Sequence, residues 1–292
     1  MIIVTIPAYN EGKTIGKVIE NIKEVMRKYR KKYKILVVDD GSQDNTAQIA
    51  RKAGAVAYSH AKNYGLAETF KTEIQKSLEL EADVIVHIDA DGQYLPKEIP
   101  KLLIEIDNGY DFVLGSRFKG KIEHMPIVKK LGNIAFSKVI SQITNFNISD
   151  AQTGFRAFTK KVAREIDIRS NHTYTQEQII RAIKQKFRLK EVPVYFAKRK
   201  GKSKLIRNPF EYALKAWINI IRIYRDFEPL RFFGIVGTLI FSVGFLIGLY
   251  LVYLHFTTGI VGHFALMMLD ILILSIGLQI IIFGFIADMN RK

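Results

Sequence analysis

Short apolar runs alternate along the first part of the chain with longer segments whose apolar positions recur three and four apart. Ile2–Ile6, Ile35–Val38, Val56–Tyr58, Val84–Ile88 and Phe112–Leu114 are short, mainly apolar runs, as expected of strands covered on both faces. Between them, Thr14–Tyr29, Asn45–Ala53, Ala67–Leu80 and Lys97–Asp107 carry helical spacing. This alternation predicts an α/β domain: a mostly parallel sheet with helices on both faces. In such a sheet, ligands bind beyond the carboxyl ends of the strands.

The pattern changes near the C-terminus. Phe232–Leu254 has no charged residue, and Phe264–Ile286 has one, Asp270. Each run is long enough to cross a hydrocarbon core of about 30 Å at about 1.5 Å per residue. The link "HFTTGIVGH" lacks Lys and Arg, whereas Lys215, Arg222, Arg225 and Arg231 precede the first run and Arg291 and Lys292 follow the second. The positive-inside rule then places both ends in the cytoplasm. Asp270 either faces the partner helix or lies near the outer interface. In Asn208–Arg231, Phe210, Leu214, Trp217, Ile218, Ile221 and Tyr224 recur at helical spacing among basic residues, which fits a helix lying in the membrane interface. The expected organisation is therefore a catalytic or binding domain over 1–207, an amphipathic helix over 208–231 and a transmembrane hairpin over 232–292.

Charge sharpens this picture. The formal net charge is +16, and from Phe232 onward Arg291 and Lys292 offset Asp270 and Asp288. The excess sits on the first 231 residues, as a polyanionic partner would require: nucleic acid, anionic lipid or phosphorylated substrates. There is no cysteine, so disulfides and thiolate metal sites are excluded. The N-terminus "MIIVTIPAYNEG" lacks the basic-then-apolar order of a signal peptide and reads as a first core strand.

Polar residues gather where the strands end. Strand one runs into "PAYNEG", strand two into "VDDGSQDNT" and the strand at Val84 into "DADGQ". Carboxylates brought together on one sheet edge need a counter-charge, and hard oxygen ligands favour Mg²⁺ or Mn²⁺ shared with a nucleotide diphosphate. Asp44, before Asn45 and Thr46, reads more simply as a helix cap or Asx turn. Neither G-x-G-x-x-G nor a P-loop is present, so no glycine-rich cradle holds the phosphates.

"PAYNEG", "VVDDGSQDNT", "HIDADGQ", "GSRF" and "DAQTGFRAF", in this order, resemble the family 2 glycosyltransferases with a GT-A fold, in the branch of dolichol-phosphate mannose synthases and polyprenyl-phosphate glucosyltransferases. The resemblance covers Met1 to about Leu205, and the C-terminal hairpin fits the same branch. It implies that Pro7, Tyr9 and Glu11 line the base and ribose pocket. Asp39 would bind base or ribose with Asp40 in support, and Asp89 would hold the sugar or ribose side. Asp91 would be the metal ligand, assisted by Gln93 and Asp89. Arg117 would grip the acceptor phosphate, and Asp150–Arg156 would shape the sugar and acceptor pocket. Arg199, Ser203 and Lys204 in "RKGKSK" would close over the diphosphate. A second acceptor-phosphate arginine is missing near "MPIVKKLGN", where only Lys129 and Lys130 stand, and lysine lacks the bidentate fork. Glu177 matches a frequently acidic position. His124 and His172 have no ligand companions.

The implied activity is inverting transfer of a hexose, with GDP-mannose ahead of UDP-glucose or a UDP-N-acetylhexosamine, to a dolichyl or polyprenyl phosphate on the cytoplasmic membrane face. A processive polysaccharide synthase is disfavoured because Q-x-x-R-W is absent: the single Trp217 follows "LKA". A non-enzymatic nucleic-acid binder is disfavoured because no such module is present and the acidic strand ends would repel phosphate.

Overall fold

The computed structural model describes residues 1–169, 174–198, 209–259 and 264–290. The chain divides into two compact units, Met1–Ala213 and Leu214–Lys292.

The first unit is built on a seven-stranded sheet. In chain order its strands are β1 (Ile2–Ala8), β2 (Tyr33–Asp39), β3 (Val56–Ser59), β4 (Val84–His87), β5 (Phe112–Ile122), β6 (Arg156–Thr159) and β7 (Leu189–Phe196). Across the sheet they lie in the order β3-β2-β1-β4-β6-β5-β7. All pairings are parallel except those of β6, which runs antiparallel to both β4 and β5. Every residue of the central strand β1 is buried, as a strand with helices over both faces requires.

The helices follow their apolar stripes. In α1 (Ile15–Tyr29), Ile15, Val18, Ile19, Ile22 and Met26 are buried, one face at helical period, and Arg30 ends the helix in the left-handed region at φ 59°. Each of these side chains removes roughly 1.5–3 kcal/mol worth of apolar surface from water. The next helices are α2 (Thr46–Lys52), α3 (Leu66–Glu79) and α4 (Ile99–Asp107). The first five strands and four helices match the expected elements. The chain continues with α5 (Ile127–Thr144), α6 (Lys160–Glu165) and α7 (Tyr174–Lys184), which were not anticipated, nor were β6 and β7.

This topology brings the motifs together. The parallel strands β1, β2, β4, β5 and β7 finish at one edge, and antiparallel β6 begins there. "PAYNEG", "DDGS", "DADGQ", "GSRF" and the segment before Arg156 therefore meet at the same edge.

After α8 (Pro209–Phe227), the second unit holds α9 (Pro229–Thr258) and α10 (Phe264–Met289). Both are long and apolar enough to cross a membrane, with mean hydropathy 2.4 and 2.5. They pack on each other through buried residues seven apart, Gly237, Gly244 and Leu251 on α9 and Asp270, Gly277 and Gly284 on α10. Small residues at this interval let two backbones approach closely. Asp270 lies in the seam, facing α9 at Gly248.

Candidate active site

The loops after β1 and β2 are stitched side chain to backbone. The Asn10 N–H donates to Ser42 Oγ at 2.8 Å, and Asn10 Oδ1 accepts from the Gln43 N–H at 2.8 Å. The Glu11 N–H donates to Thr46 Oγ1 at 2.9 Å and the Gly12 N–H to Asp44 Oδ2 at 3.1 Å. Asp44 also accepts from the Thr46 N–H at 3.0 Å, the Asx turn expected of it. Asn10 adopts φ 54°, a conformation that Asn tolerates better than most residues.

Within this frame Asp39 is buried at the end of β2 and its Oδ1 accepts the Ser42 hydroxyl. Tyr9 and Glu11 lie at the rim, with the Tyr9 ring exposed. Two of the expected pocket residues are buried. Pro7 is a buried strand residue in register with Val38, so it forms floor and presents no surface to a base. Asp40 is also closed off: its carboxylate accepts from His60 Nδ1 at 2.8 Å, the Tyr64 N–H at 2.9 Å and the Gly65 N–H at 2.8 Å. These bonds brace the loop before α3.

Beyond β4, Asp89 is 34% exposed. It packs against the backbone of Gly154, where a Cβ would lie 2.5 Å from Asp89 Oδ2. Asp91 accepts from the Gln93 N–H at 3.0 Å across Gly92, which has φ 73°. Gln93 is buried, its amide nitrogen donates to the Ala197 carbonyl at 3.1 Å and its own carbonyl accepts the Ala197 N–H at 2.9 Å. It clamps the turn to the end of β7. Among the described residues no group of three or more His, Asp or Glu is arranged to hold a metal ion.

Behind Asp89 lies a pair the sequence did not flag. Buried His87 sits 2.7 Å from Glu73 Oε2 through Nδ1, and its Nε2 is 3.4 Å from the Tyr174 hydroxyl and 4.0 Å from Asp89 Oδ1. Burial holds the Glu73 carboxyl above its ordinary pKa, with His87 opposing. The signal was present: a histidine in the apolar strand β4, and a glutamate on the buried stripe of α3 with Ala67, Phe70 and Ser77.

The "GSRF" and "DAQTGFR" segments form a second cluster. Arg117 Nε and Nη2 donate to the two oxygens of Asp150, each at 2.7 Å, and the Arg117 N–H adds a third bond at 3.0 Å. The guanidinium is 4% exposed and lies 5.2 Å from the Phe196 ring centroid. The expected phosphate grip is thus a buried, bidentate ion pair with its fork already engaged. Asp150 is set in turn by Glu191 of β7, whose carboxylate accepts from the Ser149 N–H at 3.0 Å, the Ser149 hydroxyl at 2.9 Å and the Asp150 N–H at 3.1 Å. Arg156 is fully buried as well: it donates to the Gln178 side chain at 2.9 Å and the Thr175 carbonyl at 3.3 Å, and it ties β6 to α7.

Glu177 is buried and accepts from the Arg169 N–H at 3.1 Å and Arg181 Nε at 2.8 Å, a structural bond. Lys130 and His124 are exposed. Arg199, Ser203, Lys204 and His172 lie outside the described residues.

Comparison with known proteins agrees with this architecture. The family model described as Glycosyl transferase family 2 matches residues 3–167. A dolichyl-phosphate hexose transferase of Haloferax volcanii is 31% identical over 78% of this chain and 95% of its own. A UDP-N-acetylglucosamine–dolichyl-phosphate N-acetylglucosaminyltransferase of Methanococcus voltae is 33% identical over 66% of this chain and 84% of its own. Among solved structures, glucosyl-3-phosphoglycerate synthase of Mycobacterium tuberculosis, crystallised with Mn²⁺, UDP and glucosyl-3-phosphoglycerate, superposes with a TM-score of 0.60. That likeness has 17% identity and covers 75% of this chain and 79% of the other.

Proposed function

The chain belongs to glycosyl transferase family 2, and from that premise we propose that it moves a sugar from a nucleotide diphosphate sugar to a dolichyl or polyprenyl phosphate at a membrane surface. The observation that carries this reading is the convergence of Asp39, Asp89, Asp91 and the Asp150–Arg156 segment on one sheet edge, in a chain with two helices long and apolar enough to cross a bilayer. The N-acetylglucosaminyltransferase of Methanococcus voltae is named for a UDP-sugar, and the solved synthase was crystallised with UDP. That favours a UDP-sugar over the GDP-mannose expected from motif resemblance.

Asp39, with Tyr9 and Glu11 at the rim, is assigned to base and ribose. Asp89 and Asp91 offer hard carboxylate oxygens one residue apart, and such a set fits a magnesium or manganese ion that keeps waters and takes its other ligands from the diphosphate. When bound, the ion supplies charge neutralisation for the departing diphosphate. The acceptor phosphate monoester is already an anionic nucleophile near neutral pH. It attacks the anomeric carbon as the sugar–diphosphate bond breaks and the nucleoside diphosphate leaves, with inversion. No strong base is needed; the chain's task is to position two anions without repelling either. The basic first unit serves that task, α8 lies in the headgroup region, and the catalytic unit faces the cytoplasm.

The test is transfer of labelled sugar into the organic phase by membranes carrying the full chain, with polyprenyl phosphate and UDP-glucose, UDP-N-acetylglucosamine or GDP-mannose in parallel. Transfer from one donor, lost on chelation of divalent metal and in Asp91→Ala, supports the reading. Transfer that persists equally without metal or without Asp91 refutes the assignment.

A further inference from the structure

One face of the sheet changes character just below the strand ends. Ile3, Ile85, Phe158 and Phe112 stand in register across β1, β4, β6 and β5, and all four are buried and apolar. Two residues along the same strands, the register is Thr5, His87, Arg156 and Leu114. These are equally buried, yet three of the four are polar. Side chains two apart on a strand share a face, so the next position beyond His87 on that face is Asp89. A buried polar row therefore lies directly beneath Asp89, in a face that is apolar below it.

Stability does not ask for this row. Buried polar groups cost free energy unless fully bonded, and well-packed apolar side chains of similar volume commonly serve as well or better. Here the bonding is incomplete: Glu73 Oε1, Ser77 Oγ, Arg156 Nε and Gln178 Nε2 are buried with no hydrogen-bond partner among the described residues. A breach of core rules of this kind is expected beside a functional site. The imidazole of His87 is nevertheless firmly set. Its Nδ1 lies 2.7 Å from Glu73 Oε2. Its ring meets Phe70 edge-on with centroids 5.1 Å apart, and Phe70 lies 4.4 Å from the Tyr174 ring. With Nδ1 engaged, Nε2 is directed between the Tyr174 hydroxyl at 3.4 Å and Asp89 Oδ1 at 4.0 Å. The Asp89 carboxylate is thus backed by Gly154 at Oδ2 and by His87 at Oδ1.

We propose that His87, oriented by Glu73, is a positioning residue for the sugar donor: its Nε2 fixes the orientation in which Asp89 meets the metal-bound diphosphate. The inference rests on the reading of Asp89 as a donor-site carboxylate. The two ring nitrogens have separate tasks, Nδ1 anchoring the ring to α3 and Nε2 facing the site. A separation of 4.0 Å is longer than a hydrogen bond, and contacts behind a reacting group tighten when substrate engages it. Carboxylates that hold a metal ion are themselves held from behind, and loss of such a partner costs about 10–100-fold in metal affinity or activity.

Substitution can separate the two nitrogens. Asparagine places its amide near the position of Nδ1, and glutamine places its amide near that of Nε2. His87→Asn therefore keeps the bond to Glu73 and loses the group facing Asp89, whereas His87→Gln does the reverse. The full chain in lipid nanodiscs is titrated calorimetrically with UDP and with GDP in the presence of Mn²⁺, beside its transfer kinetics and melting temperature. His87→Asn should weaken nucleotide–metal binding and lower kcat/KM for the donor, each by about 10–100-fold, with the acceptor KM unchanged and the melting temperature near the parent's. His87→Gln should recover most of both losses while melting lower, because Glu73 is left without its partner. A histidine with a purely structural role predicts the opposite order, with function following melting temperature. That order, or parent-like affinity in both variants, overturns the inference. Should neither variant fold, Glu73→Asp shortens the anchor by one methylene and leaves His87 in place: weakened affinity in the folded protein supports the inference, and parent-like affinity overturns it. A parent chain that binds neither nucleotide with Mn²⁺ overturns the donor reading and this inference with it, whereas binding by the parent that no variant alters overturns this inference alone.

Discussion

Gly154→Ala tests the heart of the site with a single methyl group. Gly154 is needed by close approach, because a Cβ there would stand 2.5 Å from Asp89 Oδ2 and 2.9 Å from Oδ1. Ordinary contact begins near 3.4 Å, so the carboxylate must retreat by about 1 Å, a displacement at a reacting centre that costs on the order of 10²-fold in rate. That corresponds to about 2.7 kcal/mol of transition-state stabilisation. Stability should change little. Asp89 is 34% exposed and can turn toward solvent, and the change from Gly to Ala lowers the entropy of the unfolded chain by a few tenths of a kcal/mol or more. The assay is kcat/KM for sugar transfer by the full chain, beside its melting temperature and its affinity for the nucleoside diphosphate with Mn²⁺. The expected outcome is a loss near two orders of magnitude in transfer, weakened nucleotide–metal binding, and a melting temperature close to that of the parent. Transfer within about twofold of the parent, with the fold intact, would show that the position of Asp89 is not what the glycine protects.

Other perturbations follow from the same geometry. Arg117→Met strands the buried Asp150 carboxylate and should cost about 3–5 kcal/mol of stability, read as a fall in the denaturation midpoint of the first unit in the full chain; a shift under 1 kcal/mol would refute the buried pair. Glu73 is held above its ordinary pKa of 4.5 by burial, against the pull of His87. Its contribution to stability is therefore complete below that value and lost as pH rises through the folded pKa. Glu73→Gln should flatten the fall of melting temperature over that window, and an unaltered slope would contradict the assignment. In the hairpin, a Cβ at Gly277 would lie 2.6 Å from the Phe241 backbone nitrogen. Gly277→Ile should separate α9 from α10 and shift the detergent melting curve, whereas the same change at Gly234, which faces open space, should not.

The residues themselves explain why five of the seven strands of this sheet could be read in advance. β1, β2 and β4 are mostly buried, so their sequences are mainly apolar. β6 is four residues long and opens with fully buried Arg156, which in sequence looks like a loop residue. β7 reads "LKEVPVYF": it contains Glu191 and Pro193, and it is tolerated because it lies at the sheet edge, where a missing N–H costs no ladder bond. The site divides the same way. Asp39, Asp89 and Asp91 could be found because they interrupt apolar runs. The closure of Arg117 could not, since Asp150 lies 33 positions along the chain and only the pairing of β6 between β4 and β5 brings them together. The Glu73–His87 pair is hidden for the same reason, as its members sit on a helix and a strand with no motif between them.

The reversed strand also explains why an acidic sheet edge can serve an anionic reaction. Had β6 run parallel to β4, the segment Asp150–Phe155 would enter the sheet at the opposite edge from Asp89. Running antiparallel, it passes over the carboxyl end of β4, where Gly154 presents backbone to Asp89 and Tyr94 holds the Gly154 N–H at 3.2 Å. The same segment delivers Asp150 to Arg117 at the neighbouring strand end. The two halves of the edge therefore differ. Asp39, Asp89 and Asp91 stand on the β2-β1-β4 side, where a divalent ion would turn them toward a diphosphate. On the β5-β7 side Arg117 and Lys119 stand paired with the buried acids Asp150 and Glu191, so that half of the edge is close to neutral before any ligand arrives. Two anions can therefore be held side by side only if the two halves of the edge stay distinct, and the strand that keeps them apart is the one whose direction breaks the parallel pattern.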